Sequence, residues 1–221
     1  RAKTVGGQFG VPEERCYSGL LGYRRMLDNG GIDAVAIESP PYFHPAQAAA
    51  AVEAGMHVFL AKPVAVDVTG CQTIQSAGQK ATEKKLVFLV DFQTRTNPLY
   101  QEAVRRVKEG DIGAIVSGEA VYYCGPTWVP PTDFDSKNPE DFLRAWGAFR
   151  VLSGDVITEQ NIHALDVATW FLDAAPLQAY GMGGRKGKTG PGDCWDHFSV
   201  IFTFPNDVLV TFASKQYGAG Y

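Results

Sequence analysis

Apolar positions recur along this chain in two successive rhythms. Over roughly the first 95 residues, short apolar runs alternate with stretches of helical spacing. Asp33-Ala34-Val35-Ala36-Ile37 follows Gly30-Gly31 and stops at Pro40-Pro41, which predicts a buried strand. The alanine-rich stretch His44 to Ala54 predicts a helix closed by Gly55. His57-Val58-Phe59-Leu60 predicts a second strand, stopped by Pro63. Asp67 has the character of an N-cap, and Val68, Cys71, Ile74, Ala77 and Ala81 follow it at helical spacing. Leu86 to Val90 predicts a third strand. Pro98 then opens a helix with Tyr100, Val104 and Val107 on one face and Gly110 after its end. Strands alternating with helices imply crossover connections and a parallel sheet.

The rhythm changes after that helix. Ala114 to Cys124, rich in β-branched and aromatic residues, predicts a long strand. Pro126, Pro130, Pro131 and Pro139 mark an irregular loop, and a single helix is expected over about Val156 to Asp173. Leu177 to Met182, Trp195 to Phe204 and Val208 to Ser214 predict strands, the last two joined by a tight hairpin at Pro205-Asn206-Asp207. Sequential hairpin strands imply an antiparallel sheet. The boundary between the two patterns falls at Thr96 to Asp111, which divides the chain into an α/β unit over 1–105 and an α+β unit over 106–221.

Composition narrows the function classes. Hydrophobic residues make up 45% of the 221, enough for a core. Twenty Lys plus Arg against 24 Asp plus Glu leave no basic footprint for nucleic acid. There is no 18-residue apolar run, so no membrane span is expected. Cys16, Cys71, Cys124 and Cys194 are far apart with no C-x-x-C pair, which favours unpaired, mostly buried thiols over zinc ligands or a disulfide framework. Localisation is not legible.

Two groups of residues carry candidate chemistry. Lys62 ends a strand of the parallel unit. Ser39-Pro40-Pro41 and Gln93 to Arg95 end its neighbours, and ligands of open α/β sheets bind at the carboxyl ends of strands. Taken alone, Lys62 is more simply a solvated surface lysine; its place beside two other strand ends argues for a shared crevice. The second group is Glu159-Gln160-Asn161-Ile162-His163-Ala164-Leu165-Asp166. Glu159 and His163 are four apart and share a helix face, and Asp166 is within reach of the same histidine. Histidine suits proton transfer to or from a hydroxyl, and a nearby carboxylate orients it. A helix that is merely polar on one side is the plainer alternative, and a metal would need a third ligand. His44 suggests helix-end hydrogen bonding, His57 a structural role and His197 a place on a sheet face. Trp146, Phe149 and Trp170 suggest core or pocket wall.

Taken in order, these residues resemble a known family. Asp33 to Pro40, His44, Gly55-Met56-His57-Val58, Ala61-Lys62-Pro63, Phe92-Gln93-Thr94-Arg95 with Tyr100, Glu159 to Asp166, and Trp195-Asp196-His197-Phe198 with its hairpin resemble the Gfo/Idh/MocA oxidoreductases, typified by glucose–fructose oxidoreductase and inositol dehydrogenase. The resemblance implies a Rossmann-type parallel sheet, here incomplete, followed by an α+β domain with a mostly antiparallel open sheet. The first strand, its glycine-rich turn and the ribose-reading strand of such a domain are absent from this sequence, so the chain reads as an internal piece that by itself binds a dinucleotide weakly. The resemblance further implies NAD or NADP as cofactor, a carbohydrate as substrate, and a homodimer or homotetramer formed through the second-domain sheet. It assigns catalysis to Lys62, His163 and Glu159. Cofactor contacts fall to Ser39, Pro40, His44, Lys62, Gln93 and Trp146, and substrate contacts to Arg95, Asn161 and His163. Two positions depart from the family pattern: Ala61 replaces the glutamate of E-K-P, and Glu159 replaces the commoner aspartate. The implied activity is hydride transfer between nicotinamide and a secondary hydroxyl of a sugar, glycoside or polyol. A glycosidase or lyase working through transient sugar oxidation is one alternative, and a sugar-binding or scaffold protein without catalysis is another.

Overall fold

A computed structural model describes residues 2–218. Arg1 and residues 219–221, the outer limits of the two expected units, lie outside the described residues. Strands β1 (Ala34–Ile37), β2 (His57–Ala61) and β3 (Phe88–Asp91) form a three-stranded sheet in that order, parallel throughout. Val35 lies beside Val58 and Ile37 beside Leu60. Before this sheet come two helices the apolar pattern does not signal, α1 (Ala2–Gln8) and α2 (Gly22–Asn29).

The crossover helices are α3 (His44–Glu53) and α4 (Val68–Glu83). Gly55, at φ +80°, turns the chain out of α3 in the left-handed region that favours glycine. The Asp67 carboxylate caps α4 by accepting the Gly70 N–H at 2.6 Å. Ala48, Ala51 and Val52 of α3 and Ile74, Ala77 and Ala81 of α4 pack on Val35, Ile37, Val58 and Leu60 as one core. Two expectations change here. Val68 and Cys71 are exposed, because only the Ile74-Ala77-Ala81 stripe faces the sheet. The strands are not buried on both faces either: Ala36, Phe59 and Leu89 are exposed, since the described helices cover one side.

Helix α5 (Pro98–Glu109) leads to the second unit. The Asn97 side chain caps it through the Leu99 N–H at 2.9 Å, and Gly110, at φ +92°, ends it. Strand β4 (Ser117–Cys124) follows, then short helices α6 (Pro139–Arg144), α7 (Arg150–Ser153) and α8 (Asp155–Glu159), and then α9 (Ile162–Leu172). Strands β5 (Gln178–Gly184), β6 (His197–Thr203) and β7 (Leu209–Gln216) complete a four-stranded sheet of order β4-β7-β6-β5. The β5/β6 and β6/β7 pairs are antiparallel as expected. β4 pairs parallel with β7, because a long helical excursion rather than a hairpin separates β4 from the rest. Asn206 and Asp207 adopt positive φ in the β6–β7 turn, a conformation their short polar side chains tolerate. Phe198, Val200 and Phe212 pack against Val156, Ala164 and Leu165, and Val210 and Phe204 pack near Ala168 and Leu172. The opposite sheet face leaves Val121, Tyr180, Met182 and Ile201 exposed.

All four cysteines are free, as the spacing implied, but only Cys194 is buried, while Cys71 is exposed and Cys16 and Cys124 are partly so. No described helix is long and apolar enough to cross a membrane.

Candidate active site

The expected helix over 156–173 is in fact two helices, and the break creates the site. In one continuous helix the His163 N–H would bond the Glu159 carbonyl. Here the chain turns at Gln160 and Asn161, and the His163 N–H reaches the Gln160 carbonyl instead, at 3.4 Å. The Glu159 carbonyl is left without a helical partner. Lys62, the residue after β2, takes it: its Nζ donates to Glu159 O at 2.5 Å and to Glu159 Oε1 at 3.0 Å. The pair is largely enclosed, with side chains 17% and 9% exposed. Lys62 and Glu159 thus link the carboxyl end of the parallel sheet to the break in the second unit. An ammonium has three donors, so one remains for a ligand after these two bonds.

His163 lies beside this pair and borders a 690 Å³ cavity. Gln93 and Tyr122 line the same cavity, and Val167, Ala168 and Phe171 of α9 give it an apolar wall. Nδ1 of His163 is buried without a hydrogen-bond partner. Nε2 is neither hydrogen-bonded nor buried. Burial lowers the proton affinity of His163 below its ordinary value, and the Lys62 charge lowers it further. Glu159, Asp91 and Asp166 oppose that shift without reversing it. The ring is therefore neutral at pH 7, the form that accepts a proton.

Asp166 does not orient His163 directly. Its carboxylate accepts Arg95 Nε at 2.9 Å and Nη2 at 2.7 Å. The guanidinium also lies over the Trp170 ring at 5.5 Å. Arg95, expected as a substrate contact, forms a strap between the segment after β3 and α9. Its fork geometry matches a carboxylate. Asn161, also expected as a substrate contact, is wholly buried in the helix break, with neither side-chain polar atom partnered, and is not among the residues lining the cavity.

His44 is likewise buried. Its Nδ1 lies 2.8 Å from Pro63 O and its Nε2 2.6 Å from Ser39 O, tying the ends of β1 and β2 together. It positions the strand ends rather than contacting a ligand, close to the helix-end bonding its place suggested. Ser39 also meets Gln47 through its hydroxyl at 2.7 Å. Ser39 and Pro40 end β1, Lys62 follows β2 and Gln93 follows β3, so three neighbouring strand ends carry them. Trp146 is half-buried against Trp128, with ring centroids 4.7 Å apart. α7, just beyond it, touches the Pro41–Phe43 turn after Pro40. His57 accepts the Val87 N–H at Nδ1, a structural bond at 2.8 Å. His197 bonds the buried Asp196 at 2.7 Å.

Sequence reasoning missed Asp91, Tyr122 and Gln160. Asp91 ends β3 and is close enough to His163 to act on its charge. Tyr122 sits on β4 within electrostatic reach of Glu159, and burial raises its proton affinity. Strand alternation alone could have flagged Tyr122 as inward-facing; nothing in the sequence marks Gln160. Among the described residues no group of three or more His, Cys, Asp or Glu is arranged to hold a metal.

The Lys62–Glu159 pair and His163 thus meet at the carboxyl ends of a three-stranded parallel sheet, where open α/β sheets bind nucleotides. The chain belongs to the GFO/IDH/MocA family: its C-terminal domain pattern matches residues 100–221, and the pattern described as an oxidoreductase family with an NAD-binding Rossmann fold matches residues 1–92. Among curated relatives, the chain is 29% identical to scyllo-inositol 2-dehydrogenase (NAD(+)) of Bacillus subtilis, over 72% of this chain and 40% of that protein. It is 28% identical to inositol 2-dehydrogenase of Acidothermus cellulolyticus, over 100% of this chain and 57% of that protein. The fold matches the crystal structure of aldose-aldose oxidoreductase from Caulobacter crescentus with a TM-score of 0.77 at 21% identity, over 99% of this chain and 60% of the other. The chain spans about half the length of the curated relatives it matches.

Proposed function

We propose that the protein containing this chain oxidises a secondary hydroxyl of a polyol or sugar, with NAD as the partner. One observation carries the reading: Lys62, held by the main-chain carbonyl and one carboxylate oxygen of Glu159, keeps a donor free within electrostatic reach of His163, a residue that borders the cavity and whose Nε2 is not hydrogen-bonded. His163 takes the hydroxyl proton at Nε2. Lys62 offers its remaining N–H to the same oxygen, where negative charge grows as the proton leaves. Glu159 fixes the ammonium in place and balances its charge while the hydroxyl is still neutral. The apolar wall on α9 excludes water from the reacting oxygen.

The residues present fit part of a dinucleotide site: Ser39, Pro40, Lys62 and Gln93 lie just past three adjacent parallel strand ends, where open α/β sheets receive such ligands. Ser39, Pro40, Lys62, Gln93 and Trp146 would hold the cofactor there, which when bound supplies the hydride-accepting carbon. The inositol dehydrogenase relatives support a cyclic polyol or sugar as substrate. The exposed apolar face around Tyr180, Met182 and Ile201 is the surface proposed for contact between copies.

The full-length protein with NAD+ and myo-inositol should form reduced nicotinamide, followed by its absorbance. Because the folded His163 binds protons less tightly than usual, its reactive neutral form prevails above a midpoint lying below the ordinary 6.5. The rate should therefore rise with pH through a midpoint under that value and level off near neutrality. No reduction with any polyol or sugar would overturn the reading, and a midpoint above 6.5 would remove His163 as the base.

A further inference from the structure

The break between α8 and α9 frees the Glu159 carbonyl that Lys62 bonds, yet the local chain does little to hold the break open. Asn161 stands at the N-cap of α9 but makes no capping bond, and both its side-chain polar atoms are buried without partners. The Gln160 and Asn161 N–H groups share one acceptor, the Val156 carbonyl, each at 3.0 Å. A regular helix through the same residues would give each N–H its own carbonyl and would return the Glu159 carbonyl to the His163 N–H. Something outside the two helices must favour the break.

Gln160 makes that outside connection. Its side-chain oxygen accepts the Thr127 hydroxyl at 3.4 Å and the Cys124 thiol at 3.6 Å, and it is bonded by the Gln216 amide. Cys124 and Gln216 are the last residues of β4 and β7 and lie side by side in the parallel register, with Thr127 just beyond β4. The three donors therefore come from one end of the second sheet. Gln216 is wholly buried, and its main-chain N–H bonds the Asp196 carbonyl at 2.8 Å, so the anchor is itself fixed. Gln160 directly follows Glu159, so a fixed Gln160 limits where the Glu159 carbonyl can point.

We propose that Gln160 is a positioning residue for the reaction: by tying the helix break to the ends of β4 and β7, it holds the Glu159 carbonyl and carboxylate where they fix the Lys62 ammonium. The proposal rests on the dehydrogenase reading for the roles of Lys62 and His163. Gln160 is not among the residues lining the cavity at His163, so it acts through Glu159 and not on the substrate.

The test is Gln160→Met in the full-length protein with NAD+ and myo-inositol. Methionine keeps the length of the side chain and removes the acceptor. Turnover should fall about tenfold or more while KM stays within about twofold, because small misplacements of a reacting group cost rate more than binding. The pH profile should move as well. Burial and Lys62 lower the proton affinity of His163 against Glu159, Asp91 and Asp166, and Lys62 outweighs Glu159. Loosening that pair should therefore raise the midpoint of the rate profile.

Gln160→Met also leaves the Gln216 amide buried without its acceptor, which should lower the melting temperature. Adding Gln216→Met removes that amide together with its already unpartnered oxygen. The double variant should melt near wild type and still turn over slowly with a raised midpoint. It carries the test alone if Gln160→Met fails to fold. Turnover that recovers along with stability would overturn the proposal, as would full turnover in Gln160→Met or a loss with the midpoint unmoved. If no polyol or sugar reduces NAD+, the dehydrogenase reading fails separately. NMR titration of the His163 ring then decides: a raised midpoint in the double variant supports the positioning role, and an unmoved one overturns it.

Discussion

Lys62→Met in the full-length protein is expected to lower turnover by about a hundredfold or more, the cost of removing a preorganised donor from a developing oxyanion. Substrate affinity should change less, because the bound alcohol is uncharged. Charge is one part of the effect and geometry the other, since the same ammonium holds the Glu159 carbonyl and carboxylate together. Methionine leaves a carboxylate at 9% exposure without its cation, so the variant should also lose stability. Adding Glu159→Gln should recover much of that stability and none of the rate, which separates folding from chemistry. Arginine should not rescue turnover, as its planar fork cannot occupy the point of an ammonium. A further signature follows from the electrostatics. Lys62 lowers the proton affinity of His163, so its removal should raise the histidine's midpoint, read by NMR titration of the ring. Near-normal turnover in both Lys62→Met and Lys62→Arg, with the midpoint unmoved, would make Lys62 a bystander.

His163→Asn is expected to lower turnover by about 100- to 10,000-fold, the usual contribution of a general base. Asparagine keeps a hydrogen-bonding group at the cavity and cannot accept a proton near neutral pH. The substitution should leave dinucleotide affinity nearly unchanged, because the strand-end residues Ser39, Pro40 and Gln93 belong to the other unit. It should also flatten the pH profile below 6.5, where the wild type loses rate. Steady-state kinetics and cofactor titration on the one variant settle the point. Equal losses of turnover and cofactor affinity would show that the ring supports the fold.

The parallel unit was legible because its signals are local. Asp67 caps α4, Gly55 and Gly110 end their helices at positive φ, and each apolar run between them became a strand. The second sheet was legible in its hairpins and misread at β4, whose partner β7 lies far along the chain and leaves no periodic trace. Lys62, Glu159 and His163 were legible as candidates, but for a partly wrong reason. The four-residue spacing implied a shared helix face, whereas the structure joins the residues through a break whose orphan carbonyl accepts a hydrogen bond from Lys62. What a sequence does not show for Arg95 and Asn161 is that Asp166 pairs with the first and that the helix break encloses the second.

The central claim is direct transfer of hydrogen from a substrate carbinol carbon to nicotinamide, with Lys62 and His163 handling the proton. Incubating the full-length protein with NAD+ and myo-inositol deuterated at its ring carbons tests it directly, using mass spectrometry of the nicotinamide product. The wild type should place one deuterium in the reduced nicotinamide with a primary isotope effect on its formation, and Lys62→Met should give the same label at a far lower rate. Reduced nicotinamide without deuterium, or label found only in the solvent, would contradict it.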